Sequence, residues 1–326
     1  MANPVGTFQT YQAVGNREDL SDMIHNISPT ETPFTSAAKK AKATSKLHEW
    51  QKDSLRAAAA NAQVEGDTPS NTTVTPTVRL FNATQISSYA FNISGTQQAV
   101  NPAGRADELA YQLVKYGKEL KRDIEKNLTG NTAYAAGTSG TARVTGSLEA
   151  WISSNWTTQC ASPTSAASPG FSSVGVIAAT DATTPATVTE ANVKAVIAQC
   201  WEDGGSPDTI MVGKYNKQKL SAFTGLVGMT NNIFQKAGGQ ATLIAAVDAY
   251  QSDFGALKIV PNRFQRDRTV LILDMEYWAV AYLRPFQSFP LAKVGDSDQR
   301  MILAEYCLES REEAASGKVT DCSTSN

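Results

Sequence analysis

The chain has 326 residues, more than one compact hydrophobic core usually organises, so one large or two modest domains are expected. Apolar residues make up 41% of it, which excludes a globally disordered chain. Charged residues make up only 18%, and the net charge of −2 argues against nucleic-acid wrapping and against a basic membrane-surface protein. A surface so poor in charge is either covered by uncharged polar side chains or buried against other subunits.

The cysteine pattern favours an intracellular protein. The four cysteines are scattered without a CxxC pair, which predicts free thiols in a reducing cytoplasm. The N-terminal segment has neither the basic nor the apolar part of a signal peptide, and no apolar run approaches the roughly 18 residues of a membrane span. Six N-x-S/T triplets would suit a secreted or surface adhesin, which is an alternative function. Without a secretion signal they are more simply a by-product of a high serine and threonine content.

Glycines and prolines punctuate residues 1–46, which predicts an N-terminal arm rather than a packed element. Within this arm, Asn16 is a suitable N-cap for a short helix over 17–27 whose leucine and isoleucines share one face. The lysine-rich segment 36–46 contains no acidic residue. We expect it to form a solvated strip at a subunit contact or on the inside of a shell.

Residues 47–93 favour a long β-hairpin, because β-branched and aromatic residues recur there at period two. We expect one strand over 47–56, a flexible tip near 66–71, and a longer returning strand. The stretch 57–73 contains few large apolar side chains, so the hairpin must lie on another part of the subunit or on a neighbouring chain. Its candidate contact residues are Trp50, Lys52, Arg56, Val64 and Arg79. Tryptophan and arginine are enriched at interfaces, and Val64 is the only large apolar residue within 57–73.

The clearest element is an amphipathic helix predicted over 104–129, with acidic residues in its first turn and a glycine after its last. Its apolar residues repeat every three or four positions, so only one stripe can be buried. We therefore expect the helix to lie across a sheet, against the last strands of the chain. The predicted core face consists of Leu109, Leu113, Tyr116, Leu120 and Ile124.

The remainder alternates in type. The composition of residues 131–190 predicts loops and short strands. A helix is predicted to start after Glu190, followed by a short buried strand and a second helix. The segment near 241–255 is either helix or strand. Four runs after residue 255 predict closing strands, and their short links favour antiparallel neighbours. The polar segment 313–326 predicts a frayed tail.

Motifs for chemistry are missing from the sequence. The two histidines have no partner at metal-ligand spacing, and the common nucleotide-binding loops and hydrolase signatures do not occur. The acidic residues near Glu18 and Asp22 are better explained by a helix N-terminus than by a cation site. We therefore predict no enzyme, no metal and no cofactor. A hydrolase with an unrecognised carboxylate pair is a further alternative.

The order of arm, long hairpin, long helix, inserted segment and closing strands resembles the major capsid proteins of tailed bacteriophages. The runs SPTETPF, EYWAVAYLRPF and LAEYCLESREE are similar to one branch of that family. The resemblance implies an α+β fold of the Hong Kong 97 type, with a spine helix on an antiparallel P-domain sheet and an inserted A-domain. The implied parts are the arm (1–46), the E-loop hairpin (47–93), the P-domain with the spine helix (94–146), the A-domain (147–254), the closing P-domain strands (255–312) and a flexible C-terminal tail (313–326).

The resemblance also implies a function. Copies would pack as pentamers and hexamers into an icosahedral shell around double-stranded DNA, and each E-loop would lie over a neighbouring subunit. Further partners would be scaffold, portal and cement proteins, and the DNA would be enclosed without tight sequence-specific binding. The protein would be a virion component assembled in the host bacterial cytoplasm. Some relatives crosslink a lysine to an asparagine, and Lys52 is the candidate lysine here, although no partner can be named and crosslinking is not expected.

Overall fold

A computed structural model of the chain describes residues 6–8, 10–14, 26–68, 71–100, 102–159, 170–223 and 248–325. Most of the short helix predicted over 17–27 lies outside these residues. Part of the segment near 241–255 is also outside them, and its described end is a strand.

The described chain forms helices and strands in a mixed order. The α-helices are α1 (Pro33–Ala37), α2 (Gly95–Ala99), α3 (Glu108–Leu128), α4 (Leu148–Trp151), α5 (Glu190–Glu202) and α6 (Lys214–Ser221). The first strands are β1 (Lys39–Lys42), β2 (Leu47–Lys52), β3 (Val78–Ala83), β4 (Gln85–Ser94), β5 (Asn155–Thr158), β6 (Gly170–Ser172) and β7 (Gly175–Ile177). The later strands are β8 (Thr209–Val212), β9 (Ala249–Ser252), β10 (Gly255–Pro261), β11 (Val270–Leu273), β12 (Trp278–Pro290), β13 (Ser297–Ser310) and β14 (Gly317–Thr320).

A four-stranded sheet in the order β1-β12-β13-β4 carries the long helix α3. The central pair β12–β13 is antiparallel, and β12 contains two register shifts between Tyr282 and Gln287. The inner ends of both strands are buried and mainly apolar, and they share one core cluster with α3. The prediction that α3 lies across a sheet is therefore confirmed, although its contacts include β4 as well as β13.

A six-stranded sheet in the order β5-β14-β11-β8-β10-β9 forms the second layer of the molecule. Helix α5 packs on β5 and β14, with Val193, Val196 and Cys200 buried beneath it. Gly317 in β14 permits this close approach, because a Cβ there would collide with Val196 and Cys200.

The four closing strands do not form one antiparallel layer, so that prediction was wrong. β10 and β11 lie in the six-stranded sheet on either side of β8, while β12 and β13 lie in the four-stranded sheet. The links are short, but β10 pairs parallel with β8 and antiparallel with β9. A short link constrains the distance between two strands; it does not oblige them to pair.

The prediction of a frayed C-terminal tail over 313–326 was also wrong, because residues 317–320 form the buried strand β14. This strand pairs antiparallel with β11 and parallel with β5, and Lys318 is completely buried. The backbone after it is held as well, since the Asp321 carboxylate accepts a hydrogen bond from the backbone N–H of Ala182 at 2.8 Å. The polar composition of this segment predicts a solvated end, because charged side chains are seldom fully buried unless they are paired.

Helix α3 begins at Glu108 and ends at Leu128, within the predicted span. The Asp107 carboxylate caps its first turn by accepting a hydrogen bond from the N–H of Leu109 at 2.9 Å. Leu120 and Ile124 are fully buried, as predicted. Leu113 and Tyr116 are half-buried against the core, and Leu109 is also half-exposed, so the predicted core face is fully covered only in the second half of the helix.

Candidate assembly surfaces

The predicted hairpin consists of a short ladder and a long exposed connection. β2 and β3 pair from Leu47 with Ala83 to Lys52 with Val78. Between them, the described residues 53–68 and 71–77 form neither helix nor strand and are all exposed. Leu55 is 99% exposed and Val74 is 88% exposed, so apolar side chains of this connection have no cover within the subunit. We name residues 53–77 the tip segment.

The returning strand of the hairpin is broken at Thr84, which the sequence did not predict. β3 pairs with β2, but β4 pairs with β13 in the four-stranded sheet. The buried Glu305 carboxylate holds the break, because it accepts hydrogen bonds from the Thr84 hydroxyl at 2.9 Å and from Arg143 at 2.5 Å. The base of the exposed hairpin is thus fixed to the four-stranded sheet.

An aromatic cluster packs beneath the base of the hairpin. Trp50 lies against Trp151 with 5.5 Å between ring centroids, and Phe81 meets the edges of Tyr134 and Phe171. The sequence does not predict this cluster, because its members come from segments far apart in the chain. The cluster packs the base of β2 and β3 against the core, while the tip segment beyond them is exposed.

The predicted contact residues divide into two groups in the structure. Trp50 points into the subunit and donates a hydrogen bond from its indole to the carbonyl of Ser310 at 2.7 Å, while Lys52 pairs with Glu312. Arg56 and Val64 are exposed on the tip segment. Arg79 is exposed on β3 and pairs with Glu49 on the neighbouring strand.

The end of the N-terminal arm is packed, contrary to the expectation for residues 1–46. Phe34 in α1 is fully buried, and β1 joins the four-stranded sheet by pairing parallel with β12. The buried carboxylate of Glu125 in α3 accepts hydrogen bonds from the N–H groups of Phe34 at 2.8 Å and Thr35 at 2.9 Å. It also accepts one from the Asn262 amide at 2.7 Å, so one side chain joins the arm, α3 and the second sheet.

A groove runs between α3 and the irregular half of β12. Its larger cavity, of about 520 Å³, is lined by Lys40, Lys121 and Phe286 among others. A neighbouring cavity of about 420 Å³ shares Lys121 and Phe286 and continues along α3 past Leu113. The groove has an apolar floor and a lysine rim.

The described residues do not assemble a catalytic constellation. They contain no group of three or more metal-ligating side chains, and none of their helices has the length and apolarity needed to span a bilayer. His48 bonds to Glu309 with 3.0 Å between the imidazole Nε2 and the carboxylate, a bond that lowers the pKa of the Glu309 carboxyl. Burial raises the pKa of the Cys200 thiol to about 12, so this cysteine is not an activated nucleophile.

The most perturbed charges lie in a buried network around β14. Burial lowers the pKa of the Lys318 ammonium to about 8 and raises the pKa of the Glu149 carboxyl. The Lys318 ammonium donates to the backbone carbonyl of Glu149 at 2.6 Å, and the Glu149 carboxylate lies 3.3 Å from Arg266. The adjoining cavity measures only about 10 Å³, too small for a substrate, so the network serves the fold.

Two of the six N-x-S/T triplets, those at Asn82 and Asn155, lie at buried positions that do not suit a glycan. The Asn82 amide is fully buried and donates to the carbonyls of Leu308 at 2.8 Å and Gly146 at 3.1 Å. Asn155 is also buried. A glycan at either asparagine would require these hydrogen bonds and the packing around them to break.

Comparison with known proteins gives concordant results. The sequence model of a family described as "SU10 major capsid protein" matches residues 4–323. The major capsid protein of Escherichia phage Phieco32 is 29% identical over 357 aligned residues, which cover 97% of both chains.

Solved structures give the same fold. The mature capsid of bacteriophage PhiM1 matches with a TM-score of 0.58 and 11% identity, over 98% of both chains. A structure of the major capsid and decoration proteins of phage G matches with a TM-score of 0.52 and 9% identity, over 99% of this chain and 100% of that one. These likenesses confirm the mixed α+β fold of Hong Kong 97-type capsid proteins.

Proposed function

The chain belongs to the SU10 major capsid protein family, and on that premise we propose that its copies pack as pentamers and hexamers around double-stranded DNA. The protein is a structural, non-enzymatic component of the virion and forms the icosahedral head of a phage. Assembly then takes place in the cytoplasm of the host bacterium. The DNA is enclosed without tight sequence-specific binding, in keeping with the net charge of −2.

The sheet memberships support an assignment of the parts. α3 is the spine helix, and the four-stranded sheet is the P-domain. The six-stranded sheet is the A-domain, which then includes β10, β11 and β14 as well as the inserted residues before them. The E-loop is the hairpin β2–β3 with the tip segment, whereas β4 belongs to the P-domain sheet because it pairs with β13. These bounds are narrower than the predicted span 47–93.

The proposed assembly role rests on one observation. The tip segment is exposed along all of its described length and has no core of its own. Such a segment adds little to the stability of the subunit, since burial stabilises by only about 25 cal/mol per Å² of apolar surface. Its role then lies in contacts with a neighbouring subunit. Arg56 and Val64 reach outward for such contacts, while Trp50 and Lys52 hold the base of the hairpin.

Other assembly partners follow by analogy. The phage G structure contains decoration proteins beside the major capsid proteins. For this chain, scaffold, portal and cement proteins are the corresponding candidates. The exposed tip segment and the groove between α3 and β12 are surfaces that could receive them.

The test replaces residues 57–73 by an Asn-Gly turn. We expect a folded, soluble subunit with a near-normal melting temperature that no longer forms shells, as measured by sedimentation and electron microscopy of one preparation. The control replaces residues 138–141, an exposed loop elsewhere in the chain, by the same turn and should leave shells intact. Normal shells from the 57–73 variant would disprove the intersubunit role, and an unfolded product would show that the segment belongs to the core.

A further inference from the structure

A small cavity lies beside the C-terminal strand β14, within the buried charge network around that strand. It measures about 10 Å³, which is close to the smallest volume that holds one water molecule. Its wall includes Glu149 of α4, Lys318 and Thr320 of β14, and the carboxylates of Asp181 and Asp321. A cavity with polar walls is hydrated when the groups that line it still have hydrogen bonds to make.

The Lys318 ammonium has more hydrogen-bond donors than partners. Its side chain is completely buried, and an ammonium carries three N–H donors. One of them donates to the backbone carbonyl oxygen of Glu149, 2.6 Å away. No other acceptor among the described residues lies within hydrogen-bonding distance of this ammonium. Two donors of a buried cation therefore remain for a ligand in the cavity.

The Glu149 carboxylate supplies an acceptor for the same cavity. The residue is 2% exposed, and its Oε2 atom is buried without a hydrogen-bond partner among the described residues. The Arg266 guanidinium lies 3.3 Å from the other oxygen, Oε1. A buried carboxylate oxygen without a donor is unfavourable, because it loses its hydrogen bonds to water on folding and gains none in return. An unpaired donor and an unpaired acceptor thus border one small space.

The other two carboxylates on the wall are already paired. Both oxygens of Asp181 accept hydrogen bonds from the Arg266 guanidinium at 2.6 Å. The Asp321 carboxylate accepts hydrogen bonds from the N–H of Ala182 and from the hydroxyl of Thr158, each at 2.8 Å. The hydrogen bonds still to be made on the wall are therefore those of the ammonium and of the unpaired carboxylate oxygen.

The charge balance of the network favours a neutral ligand. The charged residues on the wall and the arginines paired with them are three cations and three carboxylates: Lys318, Arg266 and Arg268, and Glu149, Asp181 and Asp321. A further buried ion of either sign would have no counter-charge. A metal cation would also lie next to the Lys318 ammonium, which repels it. The ligand must then be small and neutral, and able both to accept and to donate a hydrogen bond.

We propose that the cavity holds one ordered water molecule, which accepts a hydrogen bond from the Lys318 ammonium and donates one to Oε2 of Glu149. The Thr320 hydroxyl lines the same cavity and offers a third polar contact, and buried waters typically make about three hydrogen bonds. The water links α4 to β14 and joins two buried side chains that have no direct ion pair. This inference goes beyond the proposed function, because the site lies within one subunit.

A high-resolution map tests the water site directly. The full-length subunit is crystallised, or its shells are imaged, at a resolution that shows ordered waters. We expect a density peak about 2.7–3.2 Å from both Nζ of Lys318 and Oε2 of Glu149. The double variant Lys318→Met, Glu149→Met should lack the peak, because a small apolar cavity stays dry. Lys214→Met replaces an exposed lysine of α6 and is the control, which should keep the peak.

A second measurement counts internal waters in solution. Oxygen-17 magnetic relaxation dispersion detects water molecules that stay in a protein much longer than those of its surface. The wild type and Lys214→Met should hold the same number of such waters, and the double variant should hold one fewer.

Several outcomes would overturn the inference. It fails if the wild-type map is empty at this place, a result that does not depend on the folding of any variant. It also fails if the peak lies about 2.0–2.6 Å from several oxygens, because these are metal–oxygen distances. A peak that persists in the double variant, or equal water counts in that variant and the wild type, would show that these two side chains do not hold a water.

Discussion

At the scale of single residues, Glu125 is the junction between the arm and the body of the subunit. Its buried carboxylate has no basic partner among the described residues and is stabilised by N–H groups of Phe34 and Thr35 and by the Asn262 amide. The N-terminal end of α1 and a short loop thereby compensate a buried negative charge. No sequence pattern reveals this, because the three donors come from positions up to 137 residues away.

Removing the Glu125 carboxylate should therefore loosen the arm. We expect Glu125→Ala to lower the free energy of unfolding by about 2–4 kcal/mol, since buried N–H groups would lose their acceptor. Glu202→Ala, which removes an exposed carboxylate at the end of α5, should change it by less than about 0.5 kcal/mol. Urea denaturation measures both, and limited proteolysis should cut Glu125→Ala ahead of Pro33 first. Equal losses in the two variants would contradict the assigned role.

Lys318 predicts a pH dependence of stability. Its pKa is lowered by burial from its ordinary value of 10.5 to about 8, so between these values the unfolded chain binds more protons than the folded chain. The free energy of unfolding therefore rises with pH across this window. This gain in stability disappears again as the pH falls back to 8. Relative to Lys318→Met, the wild type should gain about 2–3 kcal/mol between pH 7.5 and 10.

The measurement is chemical denaturation of both proteins at several pH values. Lys214→Met removes an exposed lysine of α6 and serves as the control, for which the difference from wild type should stay flat. A flat difference for Lys318→Met as well would show that the buried ammonium does not titrate in this range.

At the scale of elements, α3 should be most sensitive to substitution in its second half. Leu120 is 1% exposed, so Leu120→Ala should cost about 3–5 kcal/mol of unfolding free energy, whereas Leu113→Ala at a half-buried site should cost about half as much. The exposed Lys118→Ala should stay within about 0.5 kcal/mol. Asp107→Ala should cost about 1 kcal/mol, because the side chain caps the helix. Equal losses of melting temperature in Lys118→Ala and Leu120→Ala would refute the assignment of Leu120 to the buried face of α3 and of Lys118 to its exposed face.

The elements that sequence analysis predicted well are those whose signal is local. α3 and α5 carry a helical repeat of apolar residues and a capping side chain at the start, and both were found close to the predicted bounds. β14 was missed because its pairing with β5 and β11 is non-local, and its buried lysine makes the strand look solvated. The break at Thr84 was missed for a similar reason, since it depends on Glu305 and Arg143, far away in the chain.

At the scale of the whole molecule, the subunit has a well-packed body and a projection without partners of its own. The core clusters fill the space around both sheets, while the tip segment remains uncovered. Under the proposed function, each subunit donates its tip segment to one neighbour and accepts a contact from another. Such a head-to-tail interface closes into a ring only when every member can donate.

That geometry predicts how mixtures behave. Consider a mixture in which about one subunit in six has residues 57–73 replaced by the short turn. About one third of the hexamers that form at random then contain no shortened subunit. If one missing tip disables a ring, the yield of shells should fall to about that level, well below the yield of about five sixths that dilution alone would leave. Sedimentation of mixtures at increasing proportions of the shortened subunit measures the yield, and the same series with the 138–141 control should show no loss. A yield that falls only in proportion to the shortened fraction would show that rings tolerate the defect, and that the tip segment adds to the contact without being required for closure.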